Sequence, residues 1–499
     1  MKIQDFLENN QQNSPDMYYK FETLILQLLK EHLSKQSKPF YVMNRDMLGD
    51  AYAQEGFDDI VGGTIIEIKY HLSRRTYIRA LEEVKKYYEK FSDVKNILLI
   101  SADYKQELNL EYLNERFTLA FPNQNLIIWG IDEINRNLIK NSRIPDRIIN
   151  NLFHLRLENA LLRDDDWKKE REERVKEISM RYERGQFSLF LGAGVSSSAG
   201  IPDWNTLLNS MMVNIVTSTA SSTSRGTDSV ISDNDINEIV NRLNQVDTQS
   251  ALMAARYIRK GLSNNGIIDF DKEVTRQLYK LRDKSKAIDS ELIKNIGFMC
   301  APRRTGAKVK NIINYNFDDL IERQLIKSHI SFKSVFCESD SYSPEELPVY
   351  HVHGFLPEND SKYKNIEKST FVFSEEGYHK IYSDPYHWSN LVQLNSLRDN
   401  TCLMIGLSMT DPNLRRLLDI SARNSEEMKH YAFFKRIRLD DFIKENGKRV
   451  ISSVNTSKTF LDNHFKLNEE LMNELGVQVI WYENYDEIPE ILKQIVSII

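Results

Sequence analysis

Four short stretches place small, amide, carboxylate and imidazole side chains directly after apolar runs. The first is Phe187-Ser-Leu-Phe-Leu191 followed by Gly192-Ala193-Gly194, with Ser196 close behind and Pro202-Asp203-Trp204 closing the segment. Small residues there let the backbone approach a bound group, and their N–H groups, with the start of a helix, suit the diphosphate of a nucleotide. The second is Asn316-Phe-Asp318 after Ile312-Ile313, where an amide and a carboxylate can orient a polar substrate or a water. The third is His353-Gly354, and a histidine suits proton transfer because it titrates near neutrality. The fourth is Gly406, Ser408 and Asp411 after Leu403-Met-Ile405. Each also has a plain structural reading: glycines serve tight strand-to-helix turns, and a histidine beside a glycine can bond locally.

The apolar runs are the elements that must position these groups. Phe187–Leu191, Val309–Asn314, Pro348–Val352, Thr401–Ile405, His430–Phe434 and Gly476–Trp481 read as buried strands separated by helical segments. Such alternation predicts an α/β domain with a mostly parallel, Rossmann-like sheet and helices on both faces. Ligands on such sheets bind at the carboxyl ends of strands, where the strand order switches. All four polar stretches fall at those ends.

In this order, the four motifs resemble the sirtuin family from about Phe187 to the C-terminus. The resemblance implies that NAD is the substrate, with Gly192, Ala193, Gly194 and Ser196 on the diphosphate and Pro202, Asp203 and Trp204 closing the first motif. It implies that Asn316 and Asp318 orient nicotinamide and a water, that His353 accepts a proton, and that Gly406, Ser408 and Asp411 lie near the adenosine end. The chain departs from the protein deacylases of the family. Tyr315 stands where they have glutamine, Asn205 where they have arginine, and no Cys-x-x-Cys pair exists, so no zinc is expected. These departures point to the branch that destroys NAD during phage defence. A toxic hydrolase must be held inactive, and subunit packing is a common means. A homo-oligomer is therefore expected, with the charged helix before Phe187 and the long insertion after Trp204 as the segments that suggest it. As in some members of the family, the resemblance also implies a HerA-type ATPase partner. His351, two residues before His353, is expected to pack or bond locally.

The N-terminal region carries a separate pattern. Phe21, Leu24, Ile25, Leu28, Leu29 and Leu33 predict an amphipathic helix over about Met17–Leu33. Gly56 to Tyr70 reads as a hairpin turned at Gly62-Gly63, with Glu67 and Lys69 on one face of the second strand and Asp58 on the facing strand. A helix over about Arg75–Phe91 and strands at Lys95–Ser101 and Asn125–Gly130 follow. This order resembles the PD-(D/E)XK nuclease fold, closest to its Mrr-like members. Asp58 and Glu67 would hold Mg²⁺, with Asp59 an alternative ligand and Glu22 a third, and Lys69 would act on a phosphate or the attacking water. The partner implied is double-stranded DNA. The bland alternative is a solvated hairpin, since Asp, Glu and Lys are common on strand surfaces.

These readings divide the chain into a nuclease-like domain (1–155), a charged connecting helix (156–185) and a sirtuin-like domain (186–499) with a helical insertion over about 205–300. Sixteen of the twenty-two residues from Arg163 to Arg184 are charged, which predicts an exposed helix laced with opposite-sign pairs. Thr217–Ser232, with ten Ser or Thr of sixteen, reads as a surface loop. A net charge of −6 excludes a strongly basic whole-chain DNA binder but not a local basic face. Three cysteines are too few for a disulfide framework and suggest a reducing, cytoplasmic setting. No apolar run is long enough to span a membrane. The leading expectation is an NAD hydrolase of antiviral defence. The rivals are a metal-dependent DNA nuclease whose sirtuin-like domain senses a nucleotide, and a ligand-regulated assembly scaffold.

Overall fold

The computed structural model describes residues 3–8, 15–43, 49–72, 77, 93–104, 115, 117–119, 121–140, 144–162, 166–223, 238–239, 242, 255–256, 258–260, 270–369, 371–373, 375–423, 428–445 and 447–497. The chain forms two compact units that interleave in sequence. The first is Met1–Glu173, Asp419–Met428 and Arg436–Gln478; the second is Arg174–Leu418, Lys429–Lys435 and Val479–Ile499.

The first unit is built on a five-stranded mixed sheet. Its strands are β1 (Phe40–Val42), β2 (Ala51–Ala53), β5 (Gly63–Leu72), β6 (Val94–Tyr104) and β7 (Asn125–Trp129), in the order β1-β2-β5-β6-β7. β1–β2 and β2–β5 run antiparallel, whereas β5–β6 and β6–β7 run parallel. The amphipathic helix forms over Pro15–Lys35, and its Phe21, Leu24, Ile25, Leu28, Leu29 and Leu33 share a core with Ile66 and Ile68 of β5 and Leu98 and Ile100 of β6. The later helix Val454–Glu474 joins this unit through Arg156, whose guanidinium donates to the carboxylates of Glu470 and Glu474 at 2.7 and 2.8 Å. A small hairpin, β14 (Lys444–Glu445) with β15 (Lys448–Arg449), precedes that helix.

The hairpin predicted at Gly62-Gly63 is not formed. A short hairpin, β3 (Gly56–Phe57) with β4 (Ile60–Val61), turns at Asp58-Asp59 instead, with Asp58 at φ 48°. The antiparallel neighbour of the Glu67 strand is β2, with Ala51 opposite Ile66. Gly62 and Gly63 only lead from β4 into β5. The predicted helix over Arg75–Phe91 lies outside the described residues except for Tyr77, which is helical.

The second unit holds a seven-stranded sheet in the order β10-β11-β9-β8-β12-β13-β16. The strands are β8 (Phe187–Leu191), β9 (Val309–Asn314), β10 (Phe332–Val335), β11 (Leu347–His351), β12 (Thr401–Ile405), β13 (His430–Lys435) and β16 (Val477–Tyr482). From β10 through β13, every neighbouring pair is parallel. β8, β11 and β12 are buried along their whole length, as parallel strands covered on both faces require. The order switches around β8, which has β9 on one side and the much later β12 on the other.

The charged helix over Trp167–Glu183 departs from expectation. Its stripe of Val175, Ile178 and Tyr182 is fully buried in the core of the second unit, Ser179 Oγ donates to the Ile495 carbonyl at 2.7 Å, and Tyr182 Oη donates to the Met299 carbonyl at 2.8 Å. The helix is a core element with one charged face, so it no longer argues for packing against a second subunit. The helix Trp204–Thr223 runs through Thr217–Thr223, where a loop was expected; the remainder of that Ser/Thr-rich stretch lies outside the described residues. No described helix is long and apolar enough to cross a membrane.

Beyond the paired ends of β8 and β12, one close contact joins the turn after β8 to Gly406. Gly406 has φ +69°, and a Cβ there would lie 2.6 Å from the Val195 nitrogen and 3.0 Å from Gly194. Both the left-handed backbone and the close approach demand glycine. Gly406→Ala should cost about 2–4 kcal/mol, seen as a fall of roughly 5–15 °C in apparent melting temperature. Gly306→Ala, also at positive φ but with nothing within 4 Å, should fall less.

Candidate functional site

The register of the sheet brings the four motifs to one level. Leu191 of β8 pairs with Asn314 of β9 on one side and Ile405 of β12 on the other, and Asn314 pairs with His351 of β11. Four parallel strands therefore end together, and the residues just beyond them meet over the sheet's carboxyl edge.

The glycine turn is held by backbone. Gly192 N–H donates to the Ile405 carbonyl and Gly194 N–H to the Gly406 carbonyl, each at 2.9 Å. These two N–H groups were expected to face an anion, and the structure commits them to β12. Ala193 and Gly194 are the exposed residues of the turn, and the helix they begin, Ala193–Ser198, is only six residues long. A Cβ on Gly192 would lie 2.6 Å from the Gly406 oxygen, so its packing role is plain. The first motif's end has structural partners too. Asp203 Oδ1 accepts from Thr206 N–H at 2.8 Å and so caps the helix beginning at Trp204. Trp204 stacks edge-on against Phe373 at 4.7 Å and lies 5.9 Å from Phe317. Pro202 is half-buried between Ile201 and Asp203.

Asn316 and Asp318 join this turn from β9. Asn316 Nδ2 donates to the Gly192 carbonyl at 2.9 Å, which leaves Oδ1 as the amide's remaining polar atom. Asp318 is buried, accepts from Leu320 N–H at 3.2 Å, and receives a hydrogen bond from Ser196. Burial pushes its carboxyl up to about 6, helped by the neighbouring Glu322 and Asp319 carboxylates; the Ser196 hydroxyl and Leu320 N–H pull the other way.

His353 meets the fourth motif. Its Nε2 lies 3.4 Å from Asp411 Oδ2 but without the alignment of a hydrogen bond, so that nitrogen is buried and unpartnered. The same Asp411 oxygen accepts from Tyr378 Oη at 2.6 Å, and its Oδ1 accepts from Leu414 N–H at 2.7 Å. Tyr315 and Tyr378 set their rings edge-on to the imidazole, at 4.9 and 5.8 Å. Burial holds the His353 pKa below the ordinary histidine range, and Asp411 opposes that shift. Asp411 thus stands beside the candidate base. Ser408 is exposed and bonds Thr410 Oγ1 at 2.6 Å. Sequence reasoning missed Tyr378, which sits on the helix Glu375–Ser383 with no polar motif around it.

A second cluster occupies the first unit. Asp50, just before β2, accepts from Ile68 N–H at 2.6 Å on β5. Burial raises its pKa well above the carboxylate range, and Glu67 and Glu22 add to the rise, while Lys69 and the Ile68 N–H lower it. Lys69 pairs with Glu67 Oε1. Tyr18 Oη donates to the Ile68 carbonyl at 3.3 Å, and burial with the same three carboxylates raises its pKa as well. Asp58 belongs elsewhere: its oxygens bond His32 Nε2 and Gln36 Nε2, both at 2.7 Å. The acid beside Glu67 and Lys69 is therefore Asp50, and Asp58 and Asp59 are turn residues. The spacing that would have revealed it is Asp50 with Glu67-x-Lys69. Among the described residues, no group of three or more His, Cys, Asp or Glu side chains is arranged to hold a metal ion.

The comparisons with known proteins bear on the second unit first. The sequence model of the SIR2-like domain matches residues 310–455, which include Asn316, Asp318, His353 and Asp411. The chain is also similar to the NAD(+) hydrolase ThsA of Enterococcus faecium, 22% identical over 326 residues. That match spans 64% of this chain and 57% of the relative, so little more than half of that protein is represented.

The buried carboxyl of Asp318 gives a pH signature. Its folded pKa is raised, so the native state holds a proton that the unfolded chain releases at lower pH, and stability falls as pH rises from about 4 through about 6. Asp318→Asn removes this dependence. Between pH 5 and 8 the variant should gain about 1–1.5 kcal/mol relative to wild type, read by urea unfolding at both pH values.

Proposed function

We propose that the second unit cleaves NAD⁺ into nicotinamide and ADP-ribose. The observation that carries this reading is the meeting of Asn316, Asp318 and His353 at one level of a parallel sheet, beside the Gly192–Gly194 turn. The match to the SIR2-like domain and the similarity to an NAD(+) hydrolase support it.

The chemistry needs few groups. The bond between nicotinamide and ribose C1′ breaks, its electron pair leaves with the nicotinamide nitrogen, and positive charge develops on the ribose. Water adds its oxygen to C1′ and surrenders a proton. Asn316 is suited to orient nicotinamide or that water through Oδ1. Neutral His353, its Nε2 unpartnered, is suited to take the proton, and Asp411 at 3.4 Å then faces the imidazolium that forms. Asp318 sits behind the turn on Ser196 and shapes it. Of the turn, the exposed Ala193 is best placed to offer its backbone N–H to a diphosphate, because the Gly192 and Gly194 N–H groups are taken, with Ser196, Pro202, Asp203 and Trp204 supporting the turn. Depletion of cellular NAD as antiviral defence is the biological role this reading implies.

Asn316→Ala should fold and bind NAD yet release nicotinamide ~10²–10⁴-fold more slowly. His353→Ala should also slow, with a larger residual rate because water can replace a base. Nicotinamide release by purified protein, alongside equilibrium NAD binding, measures both; wild-type turnover by Asn316→Ala would remove this pocket from the reaction.

We further propose that the first unit is a nuclease-like module acting on double-stranded DNA. What favours this is the gathering of Glu67, Glu22 and Lys69 about the buried Asp50, with Lys69 paired to Glu67, beside a mixed sheet. A buried carboxyl raised by its neighbours, as Asp50 is, is relieved by a cation, and Mg²⁺ is held by one or two carboxylates plus water. Asp50 and Glu67 are the pair that would hold it, and a bound Mg²⁺ would supply Lewis-acid activation of a phosphate. Asp50→Asn and Lys69→Ala should each abolish Mg²⁺-dependent cleavage of linear duplex DNA while NAD turnover stays within about 3-fold. Cleavage by both variants at the wild-type rate would dismiss this cluster as a nuclease site.

A further inference from the structure

Beneath the candidate NAD site lies a sealed polar group that neither the motifs nor the comparisons assign. His351, at the end of β11, and Glu322, on the helix Leu320–Lys327, are both wholly buried. His351 Nε2 meets Glu322 Oε1 at 2.6 Å, and its Nδ1 meets the Asn316 carbonyl at 3.2 Å. Ser334 Oγ on β10 donates to the same Glu322 oxygen at 3.1 Å. The other Glu322 oxygen is buried and has no partner among the described residues. The Phe355 ring lies over the imidazole with centroids 4.0 Å apart.

Hydrogen-bond chemistry fixes the orientation. A carbonyl only accepts, so Nδ1 must carry a proton to bond Asn316. Glu322 on the other nitrogen holds the ring in the plane that makes this possible. The chain Ser334–Glu322–His351 therefore ends on the backbone of Asn316, while the side chain of Asn316 is tied to the Gly192 carbonyl at 2.9 Å. The residue is gripped at both ends. A fully buried acid–base pair with an unpartnered oxygen is a poor stabilising device, since apolar residues of like volume often serve stability as well or better. Its position accounts for its presence better than its energy does: His351 is two residues from His353, and its acceptor is Asn316 itself.

We infer that His351, held by Glu322, is a positioning residue that sets the place of the Asn316 amide for NAD cleavage. The inference rests on the proposed NAD-cleaving site. A misplacement of a catalytic group by about 1 Å can cost ~10²-fold in rate while leaving binding nearly intact.

Two replacements separate positioning from mere filling of a polar cavity. In His351→Asn the amide nitrogen stands near the old Nδ1, so the donor to Asn316 survives and the Glu322 contact is lost. In His351→Gln the longer amide reaches Glu322 and cannot donate to Asn316. Nicotinamide release by the full chain should show kcat within about 3-fold of wild type for His351→Asn and ~10–100-fold lower for His351→Gln, with KM for NAD within about 3-fold in both. A cavity-filling role predicts the opposite order, because His351→Gln keeps the buried pair. Equal or better kcat for His351→Gln, or a change confined to KM, overturns the inference. Glu322→Gln guards against loss of folding: its amide can donate to Nε2, keeps the Nδ1 proton on the Asn316 side, and should hold kcat within about 3-fold. A folded Glu322→Gln as slow as Asn316→Ala overturns it too. Asn316→Ala in the same assay keeps the two claims apart, since its wild-type turnover would sink the site and not only the role of His351.

Discussion

The backbone contact between the Gly192–Gly194 turn and Gly406 is the constraint on which the site depends. Two hydrogen bonds of 2.9 Å and three glycines close the gap between the ends of β8 and β12. That closure lets the Gly192 carbonyl serve as acceptor for both Val195 N–H and Asn316 Nδ2. The glycines do less for an anion than their type suggests, and more for geometry. They bring the strand on either side of the order switch close enough that a residue from a third strand can be tied to the turn. Ala193 and Gly194 are what the packing leaves exposed at this turn.

The electrostatics of the pocket follow from the same burial. Asp318, Glu322, His351 and His353 all lie in the interior, where ionisation is disfavoured unless a partner compensates. Asp318 finds Ser196 and one backbone N–H; Glu322 finds His351 and Ser334; Asp411 finds Tyr378 and one backbone N–H. Of these groups, His353 Nε2 and the second Glu322 oxygen are left without a bonded partner among the described residues. A buried base with an open lone pair and a carboxylate close by is unfavourable in a resting protein. Burial keeps its protonation disfavoured, and Asp411 offsets part of that cost.

Much of the second unit was legible in the sequence because buried parallel strands are near-continuous apolar runs bounded by polar or small residues. Phe187–Leu191, Val309–Asn314 and Thr401–Ile405 form with the predicted limits. β10 escaped because Phe-Lys-Ser-Val is short and mixed. The first unit was harder. β2 is only Ala-Tyr-Ala, too brief to show a period, so its link to β5 was invisible and Gly62-Gly63 took the role of the turn. Asp58 then stood in for Asp50, although Glu67 and Lys69 were placed on the right strand. The charged helix misled for a related reason. Three buried residues on one face suffice to seat it in a core, and a dense charge on the other faces hides so thin a stripe.

The two units solve the same problem in opposite ways. In the first, burial with Glu67 and Glu22 close by raises the cost of ionising Asp50, and Lys69 offsets part of it. In the second, Asp318, Glu322 and Asp411 each meet a hydroxyl, imidazole or N–H donor, although Glu322 and Asp319 still raise the pKa of Asp318. In the NAD cleavage proposed above, the substrate would bring its own positive charge on nicotinamide and lose it as the bond breaks. Acids whose donors are already in place would not need to rearrange when that charge moved onto the ribose, and preorganisation of this sort is where most of an enzyme's electrostatic advantage resides.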